Sequence, residues 1–186
     1  MAFPWLIVLF LEGVITISEQ EPRRFTASDP ALLWASFLGV GYLKPAPGTW
    51  GSVAAVIVWW FLLSPLDVLV QLTIALGYFL TGWWTSSVIT QRYGVDDAPQ
   101  IVADEVVGMW LALALLPPVW WVALLALALF RFLDIYKPSL IGWLDREVKG
   151  GLGVMLDDVL AGVVTAALML LILYGLDVIG ITVLPS

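Results

Sequence analysis

Acidic side chains stand at the edges of otherwise apolar sequence. Asp104-Glu105 opens the run Val106–Leu116, and Asp157-Asp158 opens Val159–Leu176. Asp134 sits inside Phe130-Arg131-Phe132-Leu133-Asp134-Ile135-Tyr136-Lys137-Pro138. A carboxylate at an apolar boundary is costly unless it meets a cation. Oxygen-only ligands suit a hard divalent ion such as Mg2+, and the neighbouring cations Arg131 and Lys137 suit a phosphate. A helix that runs on to Pro138 gives Arg131, Asp134 and Lys137 the i, i+3, i+6 spacing of one face. The same pattern fits an exposed, salt-bridged helix end, although the apolar flanks leave the polar stripe narrow. Asp157 and Asp158 point about a quarter-turn apart, so at most one ligates an ion directly. The acidic pairs also have a plainer reading, as caps matched to helix dipoles. Two further acids, Asp96 and Asp97, fall in a turn-like segment before Pro99.

Two glycine-rich stretches accompany these acids. Residues 39–52 hold Gly39, Gly41, Lys44, Pro45, Pro47, Gly48, Thr49, Gly51 and Ser52. They read as a tight loop between apolar helices, with Ser52 as N-cap of the next helix. Gly48 and Gly51 permit close backbone approach to a ligand. Exposed N–H groups at a helix start favour phosphate, and Thr49 and Ser52 offer hydroxyls. The order G-x-x-x-x-G-K-[ST] is absent, so this is not a Walker A loop; taken alone, it is a turn. The second stretch, Gly150-Gly151-Leu152-Gly153, reads as a loop feeding Asp157-Asp158.

The residue inventory narrows the chemistry. There is no Cys and no His among 186 residues. Thiol nucleophiles, Cys-ligated zinc, histidine bases and phosphohistidine intermediates are therefore excluded. Only 8 Lys and Arg stand against 15 Asp and Glu, a net charge of −7, which argues against nucleic acid as a partner. Hydrophobic residues make up 61% and charged ones 12%, with a mean hydropathy of +0.99. A soluble domain carries roughly 45–50% apolar and about 25% charged residues, so an ordinary soluble domain is excluded as well.

The elements that must position these groups are apolar helices. The apolar stretches are Phe3–Ile17, Ala31–Leu43, Ser52–Leu63, Val68–Ile89, Val106–Leu116, Val119–Phe130 and Val159–Leu176. A bilayer-spanning helix needs roughly 20 apolar residues, which only Val68–Ile89 and Val159–Leu176 approach. Pro65 and the pair Pro117-Pro118 interrupt the others as kinks or hairpin turns. The first stretch does not read as a cleaved signal peptide. The Trp pairs 59–60, 83–84 and 120–121 lie near the ends of apolar stretches, as interfacial anchors or as core. Every Lys and Arg lies in 18–51, 90–105 or 131–158. The positive-inside rule puts those segments on the cytoplasmic side and the breaks at Pro65 and Pro117-Pro118 away from it. Val106–Phe130 then reads as a hairpin. The acids, cations and glycine stretches gather at one membrane face. The expectation is an all-α, compact, membrane-embedded bundle with short helical hairpins, folded as one domain over 1–186, with 1–30 an N-terminal apolar segment and linker.

PAPGTWGS, IVADEVVGMW and FRFLDIYKP followed by GGLGVMLDDVLAG, in this order, resemble bacterial phosphatidylglycerophosphatase A over roughly residues 37–175. The pattern departs from the family at Lys44-Pro45 and after Lys137-Pro138. The resemblance implies a Mg2+-dependent phosphatase that converts phosphatidylglycerophosphate to phosphatidylglycerol, multi-pass in the bacterial cytoplasmic membrane, with its site facing the cytoplasm. Carried onto this chain, it marks Asp104, Glu105, Asp134, Asp157 and Asp158 as metal ligands, with Asp104, Glu105, Asp134 and Asp158 catalytic. It marks Arg131, Lys137, Lys44, Gly48, Thr49 and Ser52 for the substrate phosphate. The alternative from a different class is a non-enzymatic ion-binding or transport subunit whose intramembrane acids line a path. A CDP-alcohol phosphotransferase is a third reading, without its D-G-x-x-A-R opening. Oligomeric state is not legible in the sequence.

Overall fold

The structure is a computed structural model that describes residues 29–95, 98–138, 140–148, 150–181 and 183. The N-terminal apolar segment up to residue 28, and the pair Asp96-Asp97, lie outside the described residues. The architecture is all-helical, with no strand among the described residues. The helices are α1 (Pro30–Ala35), α2 (Pro47–Val58), α3 (Val68–Tyr93), α4 (Ala103–Ala114), α5 (Trp120–Tyr136), α6 (Leu140–Glu147) and α7 (Gly150–Val178). A 3-10 turn at Val40–Tyr42 precedes α2, and a π-helical turn, Trp59–Leu63, extends it.

Several boundaries follow from local chemistry. Asp29 caps α1 and Asp67 caps α3, each accepting a bond from the N–H two residues on. Pro47 sits at the start of α2, where its missing N–H costs nothing. Gly94 ends α3 in the left-handed conformation. α5 ends one residue before the expected Lys137. Lys137 adopts φ 44° and donates its N–H to the Leu133 carbonyl, because the residue before a proline is disfavoured in the right-handed helical region.

Two stretches expected as loops are helical. Pro47–Ser52 is the first turn and a half of α2, so Ser52 is not an N-cap. It is fully buried and its hydroxyl donates to the Gly48 carbonyl 2.8 Å away. Gly150–Gly153 is the first turn of α7, and Asp157 and Asp158 therefore sit about two turns inside that helix rather than at its start. Glycine is tolerated there because burying α7 against its neighbours outweighs a helix penalty of about 1 kcal/mol per Gly. Ala31–Leu43 is likewise not one helix: the chain turns after Ala35, with Phe37, Leu38 and Gly39 all at positive φ.

The helices pack antiparallel in sequence, with α4 central and in its most extensive packing against α7. The turns near Pro65 and Pro117-Pro118 meet the end of α7 at one pole, where Val68, Leu115, Pro117 and Tyr174 line one cavity. The hairpin expected at Pro117-Pro118 is present as α4 and α5. The starts of α2, α4 and α7 and the ends of α3 and α5 share the opposite pole. α3 and α7, with 26 and 29 residues, are long and apolar enough to cross a bilayer. Most of their outward residues are apolar, with Leu69 70%, Trp84 65% and Leu171 65% exposed, as a lipid-facing surface requires. Trp59 departs from the interfacial pattern. It is buried, and its indole N–H donates to Gln71 Oε1 at 2.8 Å, while Gln71 Nε2 donates to the Leu66 carbonyl. This network ties the α2 end to α3 across the Pro65 turn.

Candidate active site

Helix α4 presents Asp104 and Glu105 in its first turn, and its N-cap Val102 supplies no side-chain cap. The positive end of the helix dipole therefore faces these two carboxylates. Asp158 reaches them from α7. One carboxylate oxygen from each of Asp104, Glu105 and Asp158 lies within 4.8 Å of the others. Asp104 Oδ1, Glu105 Oε2 and Asp158 Oδ1 are buried and have no hydrogen-bond partner. Unpartnered buried carboxylate oxygens are strongly disfavoured, so the cluster calls for positive charge beyond what the protein places on it.

The helix crossing that brings these acids together is set by two glycines. Gly108 and Gly162 each lie one turn after an acid of the cluster, Asp104 and Asp158. A Cβ on Gly162 would collide with the Gly108 carbonyl, and one on Gly108 would stand 2.6 Å from the Asp158 carbonyl oxygen and 2.6 Å from Phe130 Cε2. α4 and α7 thus run in the same direction in backbone-close contact, which places equivalent acids side by side. The signal for this pair was an Asp-x-x-x-Gly spacing common to both segments. Residue types alone gave it no partner, because the pairing is visible only once the helices cross.

Around the three acids stand the cations. Arg131 Nη1 lies 2.5 Å from Asp134 Oδ2, one turn along α5, and 3.5 Å from Glu105 Oε1. Lys137 Nζ pairs with Asp157 Oδ2 at 2.6 Å. The two aspartates of α7 thus diverge: Asp158 faces the carboxylate cluster, and Asp157 faces Lys137. Asp134 also neighbours Asp158. Only Asp104, Glu105 and Asp158 form a close triad among the described residues; Asp134 and Asp157 border it through their ion pairs.

The start of α2 closes the site. A Cβ on Gly48 would collide with Glu105 Oε1 and stand 3.1 Å from Arg131 Nη1. Ala46, the N-cap, offers no side chain to the first N–H groups of α2. The N–H groups of Gly48 and Thr49 therefore have no partner within the helix. Ser52 is turned inward and Thr49 is half-buried. Lys44 is exposed, follows the 3-10 turn, and makes no ion pair among the described residues. Asp29 lies apart, bound to Arg92 and Tyr93. Burial alone would raise its carboxyl, but the Ala31 N–H, Arg92 and Tyr93 together hold it below the ordinary value.

The chain is similar in sequence to known proteins. The family model for phosphatidylglycerophosphatase A matches residues 33–173. "Phosphatidylglycerophosphatase A" of Haemophilus influenzae is 39% identical over 160 residues, 85% of this chain and 98% of the relative. The Escherichia coli K12 protein of the same name is 38% identical over 147 residues, covering 78% and 85%. A Bacteroides thetaiotaomicron protein named "Putative phosphatidylinositol-3-phosphatase" is 39% identical over 141 residues, covering 72% and 87%. No solved structure matches the chain. The match spans α4, α5 and the part of α7 that carry every acid of the site, and it sets aside a non-enzymatic ion-binding subunit: the chain belongs to the phosphatidylglycerophosphatase A family of phosphatases.

Proposed function

We propose that this protein hydrolyses the terminal phosphomonoester of phosphatidylglycerophosphate, releasing phosphatidylglycerol and phosphate, in a reaction that requires Mg2+. The observation that carries the proposal is the triad Asp104, Glu105 and Asp158: one carboxylate oxygen of each lies within 4.8 Å of the others, and each residue keeps a buried oxygen with no hydrogen-bond partner. Five acids and two cations in and around the site leave three negative charges uncompensated. A phosphomonoester brings roughly 1.5 to 2 more, so the residues alone would repel it. The donor set is all oxygen, negatively charged and clustered, which fits a hard divalent cation. Such an ion supplies the positive charge that holds the phosphoryl oxygens and acidifies water at neutral pH.

The protein's own groups do the remaining work. Asp104 and Asp158, fixed by the Gly108–Gly162 crossing, hold the cation, and Glu105 is either a third ligand or the base that takes a proton from attacking water. Arg131 is held by Asp134 and Glu105 so that its guanidinium faces the phosphate, and Asp157 orients Lys137 in the same way. The unpaired N–H groups of Gly48 and Thr49 bind phosphoryl oxygens at the α2 dipole. Lys44 contributes long-range attraction from the surface. α3 and α7 embed the protein in the bacterial cytoplasmic membrane, with the site pole, which bears Arg92, Arg131 and Lys137, on the cytoplasmic side. The chain from residue 31 on forms one catalytic unit.

The test is phosphate release from phosphatidylglycerophosphate in mixed micelles by EDTA-stripped protein, with and without added Mg2+. Release that needs no added Mg2+ refutes the metal requirement, and no release under any condition refutes the substrate. The Bacteroides relative favours a second reading, the same chemistry on a phosphoinositide head group. A kcat/KM for phosphatidylinositol 3-phosphate above that for phosphatidylglycerophosphate would establish it instead.

A further inference from the structure

An aromatic cleft of about 430 Å3 opens beside the site between the turn after α1, the outer face of α3, and α4. Trp34, Phe37, Tyr78 and Trp110 build its walls, with ring centroids 5.2 to 6.0 Å apart. The walls are pinned: Trp34 Nε1 donates to Thr81 Oγ1 at 3.0 Å, and the Tyr78 hydroxyl donates to the Trp34 carbonyl at 2.9 Å. Phe37 and Leu38 hold positive φ to stand at the cleft, a costly backbone for non-glycine residues that concentrates where function needs it. The gap in the cleft is a glycine. Gly77 is exposed on α3, and a Cβ there would meet nothing within 4 Å. No close helix contact accounts for this glycine; its missing side chain leaves the cleft open.

Depth identifies the occupant. Gly82 of α3 packs against Ala103, the residue before Asp104. Thr81, Tyr78, Gly77 and Ile74 follow toward the far pole, so at 1.5 Å per residue the cleft lies about 1.5 to 12 Å deeper than the carboxylates. A lipid whose phosphate sits among the carboxylates has its acyl chains on that deeper side. We infer that this cleft receives an acyl chain of the lipid substrate, so that the enzyme selects phosphomonoesters carrying long chains. The inference rests on the lipid-phosphatase reading and names how that site holds the rest of its substrate.

The variant Gly77→Phe sets a ring at the cleft from a position where an added Cβ meets nothing within 4 Å, and circular dichroism checks its fold. Losing contact worth two buried methylenes should lower the ratio of kcat/KM on dioleoyl to dihexanoyl phosphatidylglycerophosphate about tenfold. An unchanged ratio overturns the inference. A readout independent of turnover uses a phosphatidylglycerophosphate with a mid-chain diazirine in phosphatidylcholine vesicles. Photolabelling should fall in peptides spanning 34–38 and 77–81, be displaced by excess unlabelled lipid, and drop in Gly77→Phe. Labelling that is neither displaced nor reduced overturns it. A wild type that releases no phosphate from either chain length refutes the activity reading, and the labelling then decides the cleft by itself.

Discussion

Gly48→Ala separates the site from the fold. The added methyl group collides with Glu105 Oε1 and crowds Arg131 Nη1 at 3.1 Å. Glu105 Oε1 is the end of a side chain, so the carboxylate yields rather than the helix. It must retreat by roughly 1.5 Å to reach an ordinary contact of about 3.5 Å. Glu105 then leaves both the triad and its contact with Arg131. A displacement of about 1 Å in a reacting constellation costs roughly 10²-fold, which corresponds to about 2.7 kcal/mol on the barrier. Stability should move the other way or hardly at all, since replacing Gly by Ala in a helix gains up to about 0.5–1 kcal/mol. For a protein of this size that is a Tm change of a few degrees at most. The assay pairs phosphate release from phosphatidylglycerophosphate micelles with a thermal melt of the same preparation. Activity within threefold of wild type would refute the reasoning, as would activity lost only in step with a fallen Tm.

Neutralising a triad acid should have opposite effects with and without metal. Asp104→Asn and Asp158→Asn should each lower kcat by about 10²–10³, yet melt no earlier than wild type in EDTA because repulsion is relieved. The same variants should lose the Mg2+-induced rise in Tm, worth about 2.7 kcal/mol at a hundredfold excess over Kd; Asp67→Asn, a cap at the opposite pole, should keep it. Gly162→Ala forces apart the α4–α7 crossing and should cost about 1–3 kcal/mol of stability together with activity, whereas Gly175→Ala, which meets nothing within 4 Å, should be neutral or slightly stabilising in the same melt. Gln71→Leu strands the buried Trp59 N–H and should cost about 1–3 kcal/mol, read as a lowered Tm with kcat retained.

Hydropathy and proline placement made the helices and the Pro117-Pro118 hairpin legible, because a bilayer accepts few other structures. The acids Asp104, Glu105 and Asp158 were legible by type, since carboxylates rarely border apolar helices without a reason. What one dimension hid was the use of the glycines. Gly48 and Gly150–Gly153 look like loop residues by composition, and helix propensity supports that reading. Tertiary packing overrides it: Gly48 lies in the first turn of α2, and its missing side chain leaves room there for the Glu105 carboxylate. The division of labour between Asp157 and Asp158 was half legible, as helical geometry separates them but does not say which faces the triad. The Arg131–Asp134 ion pair was legible in its i, i+3 spacing, whereas the Lys137–Asp157 pair became visible only from the packing.

The central claim is that Asp104 and Asp158 hold the cation on which hydrolysis depends, with Glu105 beside it as third ligand or base. It is tested most directly by anomalous diffraction from crystals of the protein soaked in Mn2+ in place of Mg2+. The account predicts a manganese peak coordinated by carboxylate oxygens of Asp104 and Asp158 at distances near 2.0–2.2 Å, with Glu105 ligating it directly or through its water and with Arg131 and the start of α2 facing its open side. A peak held by other acids, or a triad left without one at saturating Mn2+, would contradict it.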